Sequence, residues 1–122
     1  MTRLALTATI GADGNVEILG DTSKQKAEHG EQPTFHFSLD DQTNLECRFD
    51  SLDTQDSSTC PPSSGLNSSQ IPEQHVVINK TTAHFKDENT KAGDVCYQWN
   101  FKCKDGRTAS FDPIIDNRGG GG

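Results

Sequence analysis

The stretch from Val95 to Cys103 constrains the fold more than any other part of the chain. Within it, apolar residues alternate with polar ones in the order Val95, Tyr97, Trp99, Phe101 and Cys103. Successive side chains of a β-strand point to opposite faces, so the alternation places all five on one face. The pattern predicts a half-buried central strand, and its apolar side requires a second layer to cover it.

The same two-residue period recurs through the rest of the chain. Residues 4–10 and 16–19 flank the turn sequence Gly11-Ala12-Asp13-Gly14-Asn15 and predict a hairpin. Other alternating or β-branched segments are expected to be strands, namely residues 35–39, 45–49, 75–79, 82–86 and 109–115. The first two of these are expected to pair with each other through a turn near Asp40-Asp41.

These segments together predict an all-β fold, an antiparallel immunoglobulin-like β-sandwich of seven to eight strands. Residues 51–74 are rich in Ser, Pro and Asn and are expected to form one long polar loop. The 122 residues fit one domain, which we place at residues 1–118. The glycine run at residues 119–122 is expected to be a linker or scar outside the fold.

Charge and hydropathy exclude several classes of function. The net charge is -7, and the chain has no basic stripe that could displace phosphate counterions, so no nucleic-acid partner is expected. No apolar run approaches the roughly 20 residues that span a bilayer, so no membrane association is expected. Residues 4–10 alternate and do not form a signal-peptide core, which makes the cytoplasm the default location.

The four cysteines are interpreted without a metal. Their spacing contains no Cys-x-x-Cys pair, which makes a zinc site a weak idea, and we expect neither a metal nor a cofactor. Two disulfides are allowed by number, but the default compartment is reducing. Cys47 and Cys103 are in phase with apolar neighbours and are interpreted as small core residues.

The usual catalytic signatures are missing from the chain, including the nucleophile elbow, the zinc-binding His-Glu-x-x-His and the phosphate-binding loop. His36 and His84 lie in strand-like segments and are interpreted as solvated or hydrogen-bonded residues. Asp40-Asp41 is most simply a turn, and the alternative is a catalytic carboxylate pair. The last apolar segment contains the remaining candidate for catalysis.

That segment contains an Asp-Pro bond, Asp112-Pro113. An Asp carboxyl can attack its own backbone carbonyl and close a five-membered anhydride. Proline favours this route because its tertiary amide departs as a basic amine and lacks the N–H that the competing succinimide needs. Cleavage near neutral pH requires a carboxyl shielded by the folded sandwich and a group that protonates the leaving nitrogen.

Several short motifs resemble a known family. They are the alternating N-terminal strand with Gly-Ala-Asp-Gly, the Phe-x-Phe-x-Leu strand, a Lys-Asp-Gly turn and the C-terminal Asp-Pro-x-Ile-x-Asn-Arg. Over residues 4–118 the chain is similar to the DP-EP family of small bacterial β-sandwich proteins. The resemblance implies a sandwich that cleaves itself after the Asp of its Asp-Pro bond, keeps the C-terminal peptide bound, and can join that Asp to a lysine.

The resemblance assigns roles to residues of this chain. Asp112 would be the catalytic and scissile residue, Pro113 the new N-terminus, and Lys91 the first choice for a lysine that captures Asp112 as an isopeptide. The released residues 113–118 would stay docked as a strand, and copies could assemble by exchanging it. Other candidates stay open: Lys86 and Lys102 as the capturing lysine, and Glu46, Asp94 and His84 as the proton donor.

The residues alone also allow an inert protein. In that interpretation Pro113 merely starts an edge strand, and the sandwich is a non-catalytic binding or structural module. The chain also departs from the family pattern at Glu31-Gln32-Pro33, where Glu and Pro are separated. No role is transferred to those residues.

Overall fold

The computed structural model describes residues 2–63 and 65–122, and every segment expected to be a strand overlaps one. The agreement is incomplete: only the last two residues of 45–49 are in a strand, residues 109–115 divide between two strands, and residues 25–27 form a strand that was not expected. Ten strands form two mixed five-stranded sheets that pack face to face as a sandwich. The described residues include no α-helix and one short 3₁₀ turn, Glu73–His75. Within the same residues there is no helix with the length and apolar character needed to cross a membrane.

The first sheet has the strand order β2-β1-β4-β7-β6. Its members are β1 (Thr2–Ile10), β2 (Val16–Leu19), β4 (Thr34–Asp41), β6 (Val76–Asn79) and β7 (Thr82–Lys86). The β1–β2 hairpin and the β6–β7 hairpin are antiparallel, as is the β4–β7 pair, whereas β1 and β4 run parallel.

The second sheet is built around β8, the predicted central strand. Its members are β3 (Gln25–Ala27), β5 (Arg48–Gln55), β8 (Ala92–Lys102), β9 (Thr108–Phe111) and β10 (Ile114–Arg118). β8 pairs with β5 along one edge and with β9 and β10 along the other. The short strand β3 pairs with β10 in the parallel direction.

The core lies between the sheets and is dominated by aromatic rings. Trp99 is fully buried, and its ring lies 5.4 Å from that of Phe37, 5.1 Å from that of Phe49 and 6.0 Å from that of Phe85. The contacts with Phe37 and Phe49 are edge-to-face, which aromatic quadrupoles favour. The alternation read from the sequence is therefore the inner face of the second sheet.

The all-β sandwich prediction is confirmed in this coarser form, and four details of it are wrong. The sheets are mixed and not antiparallel, and the strands number ten among the described residues, not seven or eight. β4 and β5 do not pair through a turn at Asp40-Asp41, because they belong to opposite sheets. The polar loop is also shorter than expected, since β5 continues to Gln55.

All four cysteines are in disulfides, Cys47–Cys103 and Cys60–Cys96. The interpretation of Cys47 and Cys103 as core residues is confirmed, and the structure also bonds them to each other. Cys47 precedes β5 and Cys103 follows β8, so antiparallel pairing of these strands brings the two sulfurs together. Cys60–Cys96 ties the polar loop to the outer side of β8.

Candidate functional site

The Asp112-Pro113 bond lies inside what is geometrically one strand. Phe111, at the end of β9, faces Trp99, and Ile114, at the start of β10, faces Cys96. Both steps span three residues, so β9 and β10 follow β8 in a single unbroken register. The Asp-Pro pair therefore interrupts the strand without shifting it.

The interruption has a simple cause in the proline. The backbone N–H of Tyr97 donates a hydrogen bond to the Pro113 carbonyl oxygen at 3.2 Å. An antiparallel pair would return a second bond from residue 113, but proline has no N–H to give. The nitrogen that would leave on cleavage is thus not held by the ladder.

Asp112 and Pro113 face opposite sides of the second sheet. Pro113 is buried and Asp112 is exposed, in step with the alternation of Phe111 and Ile115, which are buried. The expectation that the sandwich shields the Asp112 carboxyl is wrong. Because the Asp112 side chain lies on the outer face, its carboxyl group is in contact with solvent water, which can supply a proton.

A polar network occupies the outer face beside Asp112. In the continued register Asp112 lies opposite Gln98, whose amide donates to the Asn100 side-chain oxygen at 2.7 Å. The Asn100 amide in turn donates to Ser51 Oγ at 3.0 Å and to Asp53 Oδ2 at 2.9 Å. The network joins β8 to β5 and presents both amide and carboxylate groups to solvent.

An open groove of about 680 Å³ runs over this network. Its lining includes Ser51, Asp53, Gln98 and Asn100 on one side and Thr108 and Ser110 of β9 on the other. Most of these side chains carry hydroxyl, amide or carboxylate groups, so the groove suits a polar ligand more than an apolar one.

The structure does not bring Lys91 to Asp112. Lys91 precedes β8 and lies next to Gly119, whereas Asp112 lies opposite Gln98. Lys91 and Gln98 are seven residues apart along the same extended segment, so Lys91 lies roughly 23 Å from the position that Asp112 faces. A lysine side chain cannot bridge that distance, so intramolecular capture by Lys91 does not fit the geometry.

The other candidate residues also lie away from Asp112. Lys86 and His84 belong to β7 and face outward from the first sheet, on the opposite side of the sandwich. Lys102 is on β8 at the level of Thr108, and Asp94 is at the level of Asp116. Glu46 lies beyond the disulfide-linked end of β5 and approaches Lys104 at 4.0 Å.

Asp94 has its own partners. It accepts hydrogen bonds from Ser58 Oγ at 2.9 Å and Lys24 Nζ at 3.1 Å, and these bonds lower the pKa of its carboxyl. A carboxyl with a lowered pKa is a weak proton donor near neutral pH. Asp94 therefore fits the role of an ion-pair partner for Lys24 better than that of a general acid.

The segment that follows Pro113 is firmly anchored. β10 pairs with β8 on one side and β3 on the other, and Ile115 is fully buried. Asn117 is also buried, and its amide donates to Asp87 Oδ1 at 3.1 Å. Asp87 Oδ1 accepts a further bond from the backbone N–H of Asn89 at 3.0 Å.

Burial dominates the electrostatics of Asp87. It raises the pKa of the carboxyl to about 6, against the opposing effect of the hydrogen bonds from Asn117 and Asn89. The buried atoms Asp87 Oδ2 and Asn117 Oδ1 have no hydrogen-bond partner within the described part of the chain. A proton on Asp87 lowers the cost of this arrangement, because it removes the buried charge.

Asn89 connects the C-terminal residues to the rest of the domain. Its side-chain amide donates to the carbonyl oxygens of Glu28 and Glu31 at 2.8 Å each, and its side-chain oxygen accepts the N–H of Gly119 at 2.9 Å. The N–H of Gly121 donates to the Asn89 backbone oxygen at 2.8 Å. The glycine run is thus docked on the domain.

Sequence reasoning missed this anchoring group of Asp87, Asn89 and Asn117. One signal was present: Asn117 shares the odd-numbered phase of Phe111, Pro113 and Ile115, so the alternation placed a polar side chain on the buried face. A buried amide requires partners. No local pattern indicated that these partners would come from the loop after β7.

Within residues 2–63 and 65–122 there is no group of three or more His, Cys, Asp or Glu side chains placed to hold a metal ion. No protein-family model and no curated protein matches the chain. The likeness to the DP-EP family therefore rests on the short motifs quoted above.

Proposed function

We propose that the protein cleaves its own Asp112-Pro113 bond and keeps the C-terminal segment docked as a strand. The observation that carries this proposal is the single register of β9 and β10 on β8. A cut between residues 112 and 113 removes one covalent bond and no ladder hydrogen bond to the proline nitrogen. The product would have the architecture of the intact chain.

The cleavage requires only groups of Asp112, Pro113 and water. A side-chain carboxyl oxygen of Asp112 attacks the backbone carbonyl carbon of the same residue. The bond from this carbon to the Pro113 nitrogen then breaks, and the nitrogen takes up the proton of the carboxyl group. The resulting cyclic anhydride adds one water molecule and opens to two carboxyl groups. The fragments are residues 1–112 and 113–122.

Exposure of Asp112 makes this reaction dependent on acid. The step consumes a carboxyl proton, and an exposed carboxyl receives that proton from solvent. We therefore expect cleavage to accelerate as the pH falls. This differs from cleavage driven by a shielded carboxyl, which would proceed near neutral pH.

The anchoring group supports retention of the released strand. Ile115 is buried, Asn117 is held by Asp87, and Gly119 is held by Asn89. The same contacts could accept residues 113–118 from a second copy, which is the basis for assembly by strand exchange. Capture of the anhydride by a lysine would then fit a lysine of another copy better than Lys91 of the same chain.

Intact-mass analysis of denatured protein tests the proposal. After incubation at pH 4 and pH 7.5, we expect two fragments whose masses together exceed that of the chain by one water, formed faster at pH 4. Capture by a lysine of a second copy would instead give a cross-linked product, with the mass of fragment 1–112 plus that of the capturing chain, less one water.

Two variants make the mass experiment specific. Asp112→Asn replaces the nucleophilic carboxyl by an amide and should prevent the cut. Asp116→Asn is the matched control, because it changes a carboxyl on the same outer face of the same strand segment. Wild-type protein that stays a single chain at both pH values, or Asp112→Asn that is cut at the wild-type rate, would refute the proposal.

The polar groove favours a second candidate function, recognition of a polar ligand by a non-catalytic module. Its support is the hydrogen-bonded set of Asn100, Ser51 and Asp53, which places donors and acceptors on an open surface. This candidate predicts an uncut chain in the mass experiment. It also predicts that Asn100→Ala weakens binding of the polar ligand while the chain stays uncut.

We also infer that the protein works in an oxidising compartment. Two disulfides support this inference, because such bonds form and persist outside the reducing cytoplasm. The cytoplasmic location expected by default fits them less well. Retention of both disulfides in protein isolated under thiol-blocking conditions from its natural host would support the inference.

A relationship to immunoglobulin-like sandwiches is a further part of the proposal. From β4 onward the chain alternates between sheets in Greek-key fashion, with β6–β7 and β8–β9 as hairpins. Parallel pairing of the early strand β3 with the last strand β10 also fits such a sandwich. The parallel β1–β4 pair is the departure from the simple pattern.

A further inference from the structure

The outer face of the first sheet carries two histidines side by side. His36 of β4 and His84 of β7 are directly paired across the antiparallel ladder, and both are half-buried. Their ring centroids are 5.1 Å apart, with the ring planes inclined by 40°. The two imidazoles therefore share one patch of surface.

The ladder places this pair at a close-approach position. The backbone N–H of Leu39 donates to the Thr81 oxygen at 2.8 Å, which makes that pair a hydrogen-bonded one. Hydrogen-bonded and non-hydrogen-bonded pairs alternate along an antiparallel ladder, so His36–His84, three positions away, is a non-hydrogen-bonded pair. Side chains of such pairs lie closer together than those of their neighbours.

The separation of the rings matches that of two imidazoles bound to one metal ion. With metal–nitrogen bonds of about 2.0–2.1 Å and a tetrahedral angle, the centroids of two bound imidazoles lie roughly 5 Å apart. We propose that His36 and His84 form a binding site for a first-row divalent transition-metal ion, with Zn²⁺ as its simplest occupant. Water molecules would complete the coordination.

Arg3 lies opposite His36 on β1, and its side chain is exposed. Water and salt therefore screen its repulsion of a cation held by the two imidazole nitrogens.

There is room for the remaining ligands. A groove of about 430 Å³ runs along this face, and its lining includes His36, His84 and the hydroxyl-bearing residues Ser38 and Thr82. Waters bound to the metal can hydrogen-bond to such hydroxyls. The four cysteines do not compete for the metal, because all of them are in disulfides.

Titration of the full chain with Zn²⁺ tests the site. We expect saturable binding of one ion per chain, with NMR shifts of the His36 and His84 ring signals that exceed those of His29. Mg²⁺ should not produce these shifts, because it prefers oxygen ligands. Binding should also raise the melting temperature.

Single substitutions assign the ligands. His36→Asn and His84→Asn should each weaken Zn²⁺ binding about tenfold or more, since even outer-shell changes cost that much in metal sites. His29→Asn, on an exposed loop, is the matched control and should bind as the wild type does. His36→Gln and His84→Gln provide second variants if either Asn variant fails to fold by circular dichroism. Equal binding by the wild type and a folded His36 or His84 variant would overturn the proposal.

Discussion

β9 and β10 are two halves of one strand, yet the domain holds them differently. β9 pairs with β8 alone and ends on the buried Phe111. β10 pairs with β8 and β3, buries Ile115 and Asn117, and leads into the docked glycines. The Asp112-Pro113 bond separates the two halves.

The difference shows how a strand can be covalently weak at one point and still be well anchored. Side-chain anchors, not the peptide bond between the halves, hold β10. A cut at the bond would leave the better-anchored half on the side that is released. The contrast between β9 and β10 therefore governs whether cleavage is followed by retention or by loss of the peptide.

Among the changes that test the difference in anchoring between β9 and β10, Asn89→Ala should cause the largest loss of stability. The substitution removes the bonds to Glu28, Glu31 and Gly119 and leaves the buried N–H of Gly119 without its acceptor. We expect a loss of roughly 3–5 kcal/mol in the free energy of unfolding, measured by urea denaturation. Ser110→Ala on β9 is the control and should change stability by less than about 0.5 kcal/mol. Similar losses in both variants would contradict the difference between the halves.

Asp87→Asn should remove a pH dependence of stability. The folded-state pKa of Asp87 is raised to about 6 from the ordinary 3.8, so the fold favours the neutral acid. Its contribution to stability is present at about pH 4 and below, and it is lost as the pH rises through 6, by at most about 3 kcal/mol.

The Asn variant stays neutral and has a side chain of similar shape. The part of the pH dependence of stability that Asp87 causes should therefore disappear. Thermal unfolding of both proteins between pH 4 and 8 measures it. Asp116→Asn, which removes a carboxyl of β10 but leaves Asp112 intact, serves as the matched control and should retain the wild-type dependence of stability on pH. A slope in Asp87→Asn equal to that of the wild type would show that Asp87 does not titrate in this range.

Native-state hydrogen exchange should reveal the smallest difference. Hydrogen-bonded amides of β10 should exchange about tenfold more slowly than those of β9, equivalent to about 1.4 kcal/mol, because β10 is paired along both edges. The amides of β8 provide the internal reference, since this central strand lies between β5 and the β9–β10 strand. Faster exchange in β10 than in β9 would reverse the comparison.

Local patterns predicted most of the strands, but they predicted neither the short strand β3 nor the pairing of segments that are distant in the chain. The β1–β2 hairpin, the β6–β7 segments and the central strand β8 follow from alternation and turn residues that lie close together in sequence. The parallel β1–β4 and β3–β10 pairs join segments that are distant in the chain. Period-two patterns indicate which face of a strand is buried but do not identify its neighbour.

The same limit applies to the candidate site. The sequence placed Asp112-Pro113 in the last strand, and in the structure the pair lies between β9 and β10, which share one register on β8. Its expected shielding failed because residue 112 falls on the outward phase, which the buried Phe111 beside it already indicated. The distance to Lys91 and the pairing of Cys47 with Cys103 both depend on the register of β8, which no local pattern specifies.

The docked glycines restrict how the C-terminus can be labelled. A Cβ at residue 121 would overlap the Glu88 carbonyl oxygen, and one at residue 119 would lie 3.0 Å from the Ala92 nitrogen. A cysteine or unnatural residue introduced there for fluorescence would displace the segment that it was meant to report. Dyes are better attached at Ser110, whose exposed side chain lies on the half of the strand that cleavage would leave in the larger fragment.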